Sequence, residues 1–448
     1  MTWNTERLIE QDLAHILHPV TNLHRHAKSG PLVLARGEGS RVWDTTGKSY
    51  LDGFAGLWNI NVGHGRGVLA DAARDQIKQI AFVPTFFGLA SPPVIELAAK
   101  LAEILPGTPH FQFTSGGAES NETAIKIARY YWALNGQPER VKVLSRTMAY
   151  HGIANASLAA TGIPAYWKDF GPMAPGFIHL TAPHEYRNNP GLSNVEFVAH
   201  LAKELEETIA REGAETIAAF IGEPVQGAGG VVPPVAGYWD AIMPVLKRHG
   251  ILMISDEVIT GFGRTGQMFG HQTYNFTPDI VAMAKGITSG YIPLGAVGIS
   301  DEINRVLLEP DRMFMHGFTY SGHPVACAVS LANLAIIESE NLPANAAARG
   351  EQLLAGMKTL ETHANVGNVR GKGLMVLLEV VEDKASKKSF DTSANIGGKM
   401  QAATRKRGLI SRCNDTGIAF APPLVVTAQE IDEILEITQA ALREVLGP

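Results

Sequence analysis

Cysteine is nearly missing: Cys327 and Cys413 are the only two in 448 residues. Two thiols so far apart build neither a disulfide framework nor a zinc-ligand spacing, and a reducing cytoplasm is the simplest compartment. Charge of one sign is never concentrated. The chain has 38 basic and 44 acidic residues and a net charge of −6, without a block of like charges. That pattern argues against nucleic acid or an acidic membrane surface as partner. No apolar run is long enough to cross a bilayer, and residues 1–7 hold no apolar signal core. His316 and His323 have no acid or cysteine at ligand spacing, so no metal is expected. Internal repeats and low-complexity tracts are absent too. What the chain has is apolar mass: 45% hydrophobic residues, with 46 glycines and 25 prolines as punctuation, enough for a large core and two or three domains.

Apolar spacing predicts a helix over residues 5–17. Short β-like pieces follow at 32–35, 41–44 and 50–52, with Gly37, Gly39 and Gly47 as turn signals. From about residue 68, helices (94–104, 120–133) alternate with short apolar strands (141–144, 218–222, 251–254, 280–284). Such alternation predicts a mostly parallel sheet covered on both faces. A long helix over 325–339, a Gly-rich β segment over 369–380, a strand over 408–412 and an amphipathic helix over 428–446 complete the chain. The expected architecture is α/β: a large domain over 66–324, and a smaller α+β domain assembled from both chain ends, 1–65 and 325–448.

Two apolar strands end on chemistry. One runs into Ser255-Asp256-Glu257 and the other into Ala284-Lys285-Gly286. A lysine amine that condenses with an aldehyde, and an acid that keeps a pyridine nitrogen protonated, are what pyridoxal 5'-phosphate chemistry requires. A lysine that snorkels to solvent fits the same segment taken alone. Four further segments carry candidate groups. Thr114-Ser115-Gly116-Gly117-Ala118-Glu119 is a small turn opening a helix, able to present free amides to a phosphate; an ordinary helix start reads the same. Tyr150-His151-Gly152 offers an aromatic face for a planar ring, or simply a core tyrosine. Glu223 stands at a strand's carboxyl end, where open α/β sheets bind ligands, and a capping acid stands there equally well. Gly261-Phe262-Gly263-Arg264-Thr265-Gly266 reads as a tight loop. His316-Gly317-Phe318-Thr319-Tyr320-Ser321-Gly322-His323-Pro324 reads as a helix-entry loop with Ser321 or His323 capping.

The order of these pieces resembles the class III pyridoxal-phosphate aminotransferases, which have the aspartate-aminotransferase fold (fold type I). The resemblance runs from about residue 37 to 423. It implies Lys285 as the Schiff-base lysine and proton carrier, and Asp256 at the ring nitrogen. It implies Val258 under the ring, Tyr150 above it and His151 beside them. Ser115, Gly116 and Gly117 would hold the phosphate, and Glu223 would line the pocket. Phe318 and Thr319 would reach the phosphate of a neighbouring subunit, which implies a homodimer or a dimer of dimers. Within the class, Asp52-Gly53-Phe54-Ala55-Gly56-Leu57-Trp58 and Thr85-Phe86-Phe87 are similar to pocket segments of ω-amino acid:pyruvate and amine:pyruvate transaminases. Trp58 and Phe86 would be substrate walls, and Leu409-Ile410-Ser411-Arg412 resembles the segment with their mobile arginine. Ornithine-type members place an arginine directly before Phe-x-Pro-Pro; here that position is Ala419. The phosphate turn reads Gly-Gly-Ala-Glu-Ser where many members have Gly-Ser-Glu, and Val20 stands where some amine transaminases have phenylalanine. The expected reaction moves an amino group from an ω-amino acid or primary amine to pyruvate. An aminomutase or a decarboxylase on the same cofactor is the alternative, and a catalytically silent cofactor-binding protein is the reading from outside enzymology.

Overall fold

The computed structural model describes residues 3–310 and 312–448. At its centre is a seven-stranded sheet in the order His110–Thr114, Gly295–Ile299, Ile280–Met283, Leu252–Asp256, Ile217–Gly222, Lys142–Arg146, Phe177–Leu180. Gly295–Ile299 runs antiparallel to both of its neighbours, and the other pairings are parallel. Six strands therefore point the same way, and their carboxyl ends share one edge. All six residues of Ile217–Gly222 are buried. An unbroken apolar run suits a strand covered on both faces, which is why the alternation of helices and apolar strands is legible in the sequence. Helix Gly117–Leu134 packs across this sheet with Ile125, Ile127 and Ala128 buried.

Two four-stranded sheets flank the central one. The first orders Leu34–Glu38, Arg41–Asp44, Ser49–Asp52 and Leu409–Ile410. The second orders Val366–Gly371, Val376–Val380, Gly417–Phe420 and Arg412–Asn414. The single strand expected over 408–412 is thus divided. Leu409 and Ile410 run parallel to Leu51 and Asp52, whereas Arg412–Asn414 runs antiparallel to Gly417–Phe420. The reason is hydrogen-bond supply. The neighbouring strand stops at Asp52, Gly53 takes the last bond by donating its N–H to the Ile410 carbonyl at 2.8 Å, and a buried backbone beyond it needs a new ladder. Residue 411 is the joint, and its side chain is buried.

The expected strand over 32–35 lies at Leu34–Glu38 instead, because the turn of its hairpin is at Gly39-Ser40 and Gly37 sits inside the ladder opposite Val42. The Gly-rich segment 369–380 is an antiparallel hairpin. Helix Pro324–Ser339 is capped by His323, whose side chain accepts from the Val325 N–H, with Pro324 in its first turn.

Candidate active site

At the common strand edge lies a cavity of about 610 Å³, lined by Gly117, Asn121, Tyr150, His151, Glu223, Asp256, Val258 and Lys285 on the sheet side. Each reaches it for a local reason. Asp256 ends its strand and Glu223 follows Gly222. Lys285 follows Ile280–Met283 after one extended residue and adopts a positive φ of 48°. A non-glycine residue in that region is strained, and such strain gathers at functional sites.

Asp256 is held from three directions. Asn121 Nδ2 donates to its Oδ2 at 2.7 Å, His151 Nδ1 meets the same oxygen at 2.7 Å, and the Val258 N–H donates to Oδ1 at 3.0 Å. His151 and Asp256 are both buried. Glu223 accepts from the backbone N–H groups of Tyr150 at 3.0 Å and Gly227 at 2.8 Å. Burial, followed by the nearby Asp256 charge, raises its pKa, against the lowering effect of His151 and of those two amides. The Lys285 amine makes no hydrogen bond or ion pair among the described residues. Desolvation pulls its amine down to about 8, with Asp256 and Glu223 opposing and Arg412 and Arg264 assisting.

The outer walls are Trp58, Phe54, Val20, Tyr166, Ile410 and Ser411, with Gln401, Arg405 and Arg412 toward one side. Trp58 is buried and meets Phe54 edge-on at 4.6 Å between ring centroids. Tyr150 meets Tyr166 at 5.4 Å, and burial raises the pKa of its hydroxyl. Arg412 is half-buried, and its guanidinium has no hydrogen bond or ion pair among the described residues.

Several expected residues lie elsewhere. Phe86 lines a different cavity of about 1090 Å³, together with Phe87, Met313, Met315 and Gly317. Ser115 borders a third, with Tyr320 and His323. Gly116 precedes the helix in extended backbone, with open space where a Cβ would stand. Phe318 and Thr319 form the turn closed by Phe318 N–H donating to Ser321 Oγ at 3.2 Å, and neither lines a described cavity.

Two functional neighbours escape sequence reasoning. Asn121 belongs to the phosphate-turn segment, yet its side chain turns to Asp256, 135 residues away. Arg264, inside a segment expected to be only a loop, is fully buried and donates to the Pro422 carbonyl at 2.6 Å and to Asn61 Oδ1 at 2.7 Å. It clamps the loop behind the lysine against the C-terminal segment.

These groups fit pyridoxal phosphate. The cavity floor presents an amine with no partner and a carboxylate braced by neighbours. His151 Nε2 and Asn121 Oδ1 are both buried without a hydrogen-bond partner. Gly117 is required for the close approach, since a Cβ there would stand 2.7 Å from Val258 Cγ1. The helix it opens has an N-terminus whose amides lack intrahelical partners.

Comparison with known proteins agrees with this geometry. The model of the family "Aminotransferase class-III" matches residues 23–442. An (S)-enantioselective omega-transaminase from Thermomicrobium roseum has 66% identical residues and superposes with a TM-score of 0.98 over 100% of both chains. The diaminobutyrate--2-oxoglutarate transaminase of Halomonas elongata is 41% identical over 98% of this chain and 96% of its own. The putrescine--pyruvate aminotransferase of Pseudomonas aeruginosa is 40% identical over 96% of this chain and 94% of its own. The chain therefore belongs to the class III aminotransferases, enzymes of fold type I that work with pyridoxal phosphate.

Proposed function

We propose that this aminotransferase moves the amino group of an ω-amino acid or primary amine to pyruvate, giving alanine and an aldehyde or ketone. The observation that carries the reading is Arg412. It lines the cavity without an anionic partner, beside the apolar walls of Trp58, Phe54 and Val20, while the position that could hold a fixed arginine is Ala419. One pocket can then accept a carboxylate in one half-reaction and an apolar group in the other. The names of the Thermomicrobium and Pseudomonas proteins point the same way.

In this reading Lys285 would hold the cofactor through its amine, and Asp256 would keep the cofactor's ring protonated. Tyr150, Val258, His151 and Glu223 line the cavity that would take it. Ser115, Gly116 and Gly117 would hold its phosphate. Bound pyridoxal phosphate supplies an electron sink that makes a proton on the amine-bearing carbon removable. Lys285 Nζ takes that proton and returns one. A pKa of about 8 suits an amine that must act both as base and as acid near neutrality. Asn121 and His151 orient Asp256. Trp58 and Arg412 bind the substrate.

Phe318, Thr319 and Phe86 complete the site of a neighbouring subunit in a homodimer or a dimer of dimers. Support comes from the exposed apolar side chains of Phe87, Met313, Met315 and Tyr320 around them, a concentration typical of interfaces. The division at residues 65 and 324 belongs to the same proposal. It is supported by Leu409–Ile410 pairing with Ser49–Asp52, which joins the two chain ends in one sheet. A cytoplasmic setting is supported by two free cysteines; no single described helix is long and apolar enough to cross a membrane.

The test is a donor panel of β-alanine, taurine, a diamine and an arylalkylamine with pyruvate, scored for alanine. Alanine from at least one donor is expected. Donor consumption without alanine in every case would instead indicate the aminomutase or decarboxylase reading.

A further inference from the structure

The first two helices, Thr5–His15 and Leu23–Ser29, bury none of their residues. The loop between them packs as lightly. Leu17 and Val20 are 79% and 76% exposed. Val20, a β-branched residue, has a φ of 49°, a strained conformation that persists only with outside support. Yet Pro19 and Val20 line the active-site cavity. The side chain that ties the loop to both helices is Asp12. Its Oδ2 meets His18 Nε2 at 2.8 Å, and its Oδ1 meets His26 Nε2 at 3.0 Å. One residue from each helix and one from the loop thus converge. Among the described residues, no other three side chains of histidine, cysteine, aspartate or glutamate bring their ligand atoms within 4.8 Å of one another.

Two imidazoles and a carboxylate are a donor set for zinc and its neighbours in the first transition row. The spacing fits as well. A tetrahedral zinc ion holds nitrogen and oxygen ligands about 2.0–2.2 Å away, hence roughly 3.3 Å from one another, so the three donors need to part only slightly to admit it. Both rings present Nε2, and neither Nδ1 makes a hydrogen bond among the described residues, which leaves Nδ1 to carry the proton of a neutral, coordinating imidazole. The ring centroids are 4.2 Å apart. Two imidazolium ions at that separation repel each other, whereas a divalent ion takes both rings neutral and the carboxylate charged. The side chains of Asp12, His26 and His18 are 12%, 13% and 28% exposed, covered enough to limit competing water and open enough for one water as fourth ligand.

We propose that Asp12, His18 and His26 bind a divalent transition-metal ion of the zinc type, and that the ion fastens the loop of residues 16–22 as a wall of the active-site cavity. The site is structural: it lies outside the group of residues around Lys285 and takes no part in proton transfer. His316 and His323, where no metal is expected, belong to another part of the chain. In the sequence the three ligands are separated by five and by seven residues, and they meet only because the chain turns between its first two helices. The proposal does not depend on which amine is the donor.

The test uses the holoenzyme, stripped of adventitious metal with a chelator and titrated with zinc chloride by calorimetry. One ion per chain should bind. Asp12→Asn and His26→Gln should each weaken that binding at least about tenfold, whereas His24→Gln, which changes an exposed histidine of the same helix, should bind as the wild type does. Titration of the wild type with cobalt(II) needs no variant: an intense visible band, the mark of a four-coordinate ion, is expected. The fastening is read by hydrogen exchange, where zinc should slow the amides of residues 16–22 at least about tenfold in the wild type and leave them unchanged in Asp12→Asn. The metal site is overturned if zinc fails to saturate, if Asp12→Asn and His26→Gln bind as tightly as His24→Gln, or if cobalt(II) keeps the weak spectrum of the hexaaqua ion. Exchange in residues 16–22 that ignores bound zinc overturns the fastening.

Discussion

In the cofactor-free protein, the acid–base state of Lys285 can be measured directly. Desolvation in the cavity lowers its pKa from 10.5 to about 8, although Asp256 and Glu223 pull it upward. At a pH of about 7.5, a pKa of 8 leaves about a quarter of the amine neutral, against about one part in a thousand for an ordinary lysine. Only the neutral amine attacks an aldehyde or an acylating reagent, so burial gives Lys285 a reactive fraction roughly two hundred times larger. The assay is competitive labelling of the apoprotein with a trace of an uncharged acylating reagent from about pH 6 to about pH 11. The Lys285 peptide is quantified by mass spectrometry against the exposed Lys203. Half-maximal labelling of Lys285 is expected at about 8. Two variants should move that midpoint in opposite directions. Asp256→Asn removes a carboxylate that favours the ammonium form, so the midpoint falls. Arg412→Ala removes a cation that disfavours it, so the midpoint rises. A wild-type midpoint close to 10.5, or both variants shifting the same way, refutes the electrostatic account of this lysine.

Lys285→Ala should bind pyridoxal phosphate through the Gly117 turn and Asp256, yet show no multiple turnover; sustained alanine formation without added amine contradicts its role. Asp256→Asn should keep the native circular dichroism but lose at least about a hundredfold in kcat, because breaking a buried ionic pair costs about 3–5 kcal/mol. Asn121→Ala, which removes one hydrogen bond to the carboxylate, should lose roughly tenfold or somewhat more; equal losses in the two variants would show that the bracing, not the charge, matters. Arg412→Ala should raise KM for pyruvate and β-alanine about tenfold or more, the value of a charge-assisted pair, while the half-reaction with a neutral arylalkylamine changes far less. Gly117→Ala drives a Cβ to 2.7 Å from Val258. Overpacking of this kind costs about 1–3 kcal/mol, so a fluorescence titration should show cofactor affinity falling by about tenfold or more.

The positions most legible in the sequence are Asp256, Lys285 and Glu223. Each follows a continuous apolar strand, and parallel strands bring their carboxyl ends to one edge whatever their separation along the chain. Gly117 is legible because a glycine turn opening a helix is a local pattern. Groups whose environment depends on distant segments are not. Asn121 and His151 meet at Asp256 across 135 and 105 residues, and nothing in their own segments marks that meeting. The stretch 408–412 has the composition of one strand. Whether it stays in one ladder depends on where its neighbour Ser49–Asp52 ends, which divides it and sends Arg412 into a second sheet. Arg405 and Arg407 are the same residue type two positions apart. Glu444 and the Ala403 carbonyl take one of them, and the other is left facing the cavity. Local pattern determined which residues could do chemistry; the tertiary structure decided which of them have partners, because a charge's partner is set by packing between elements far apart in the chain.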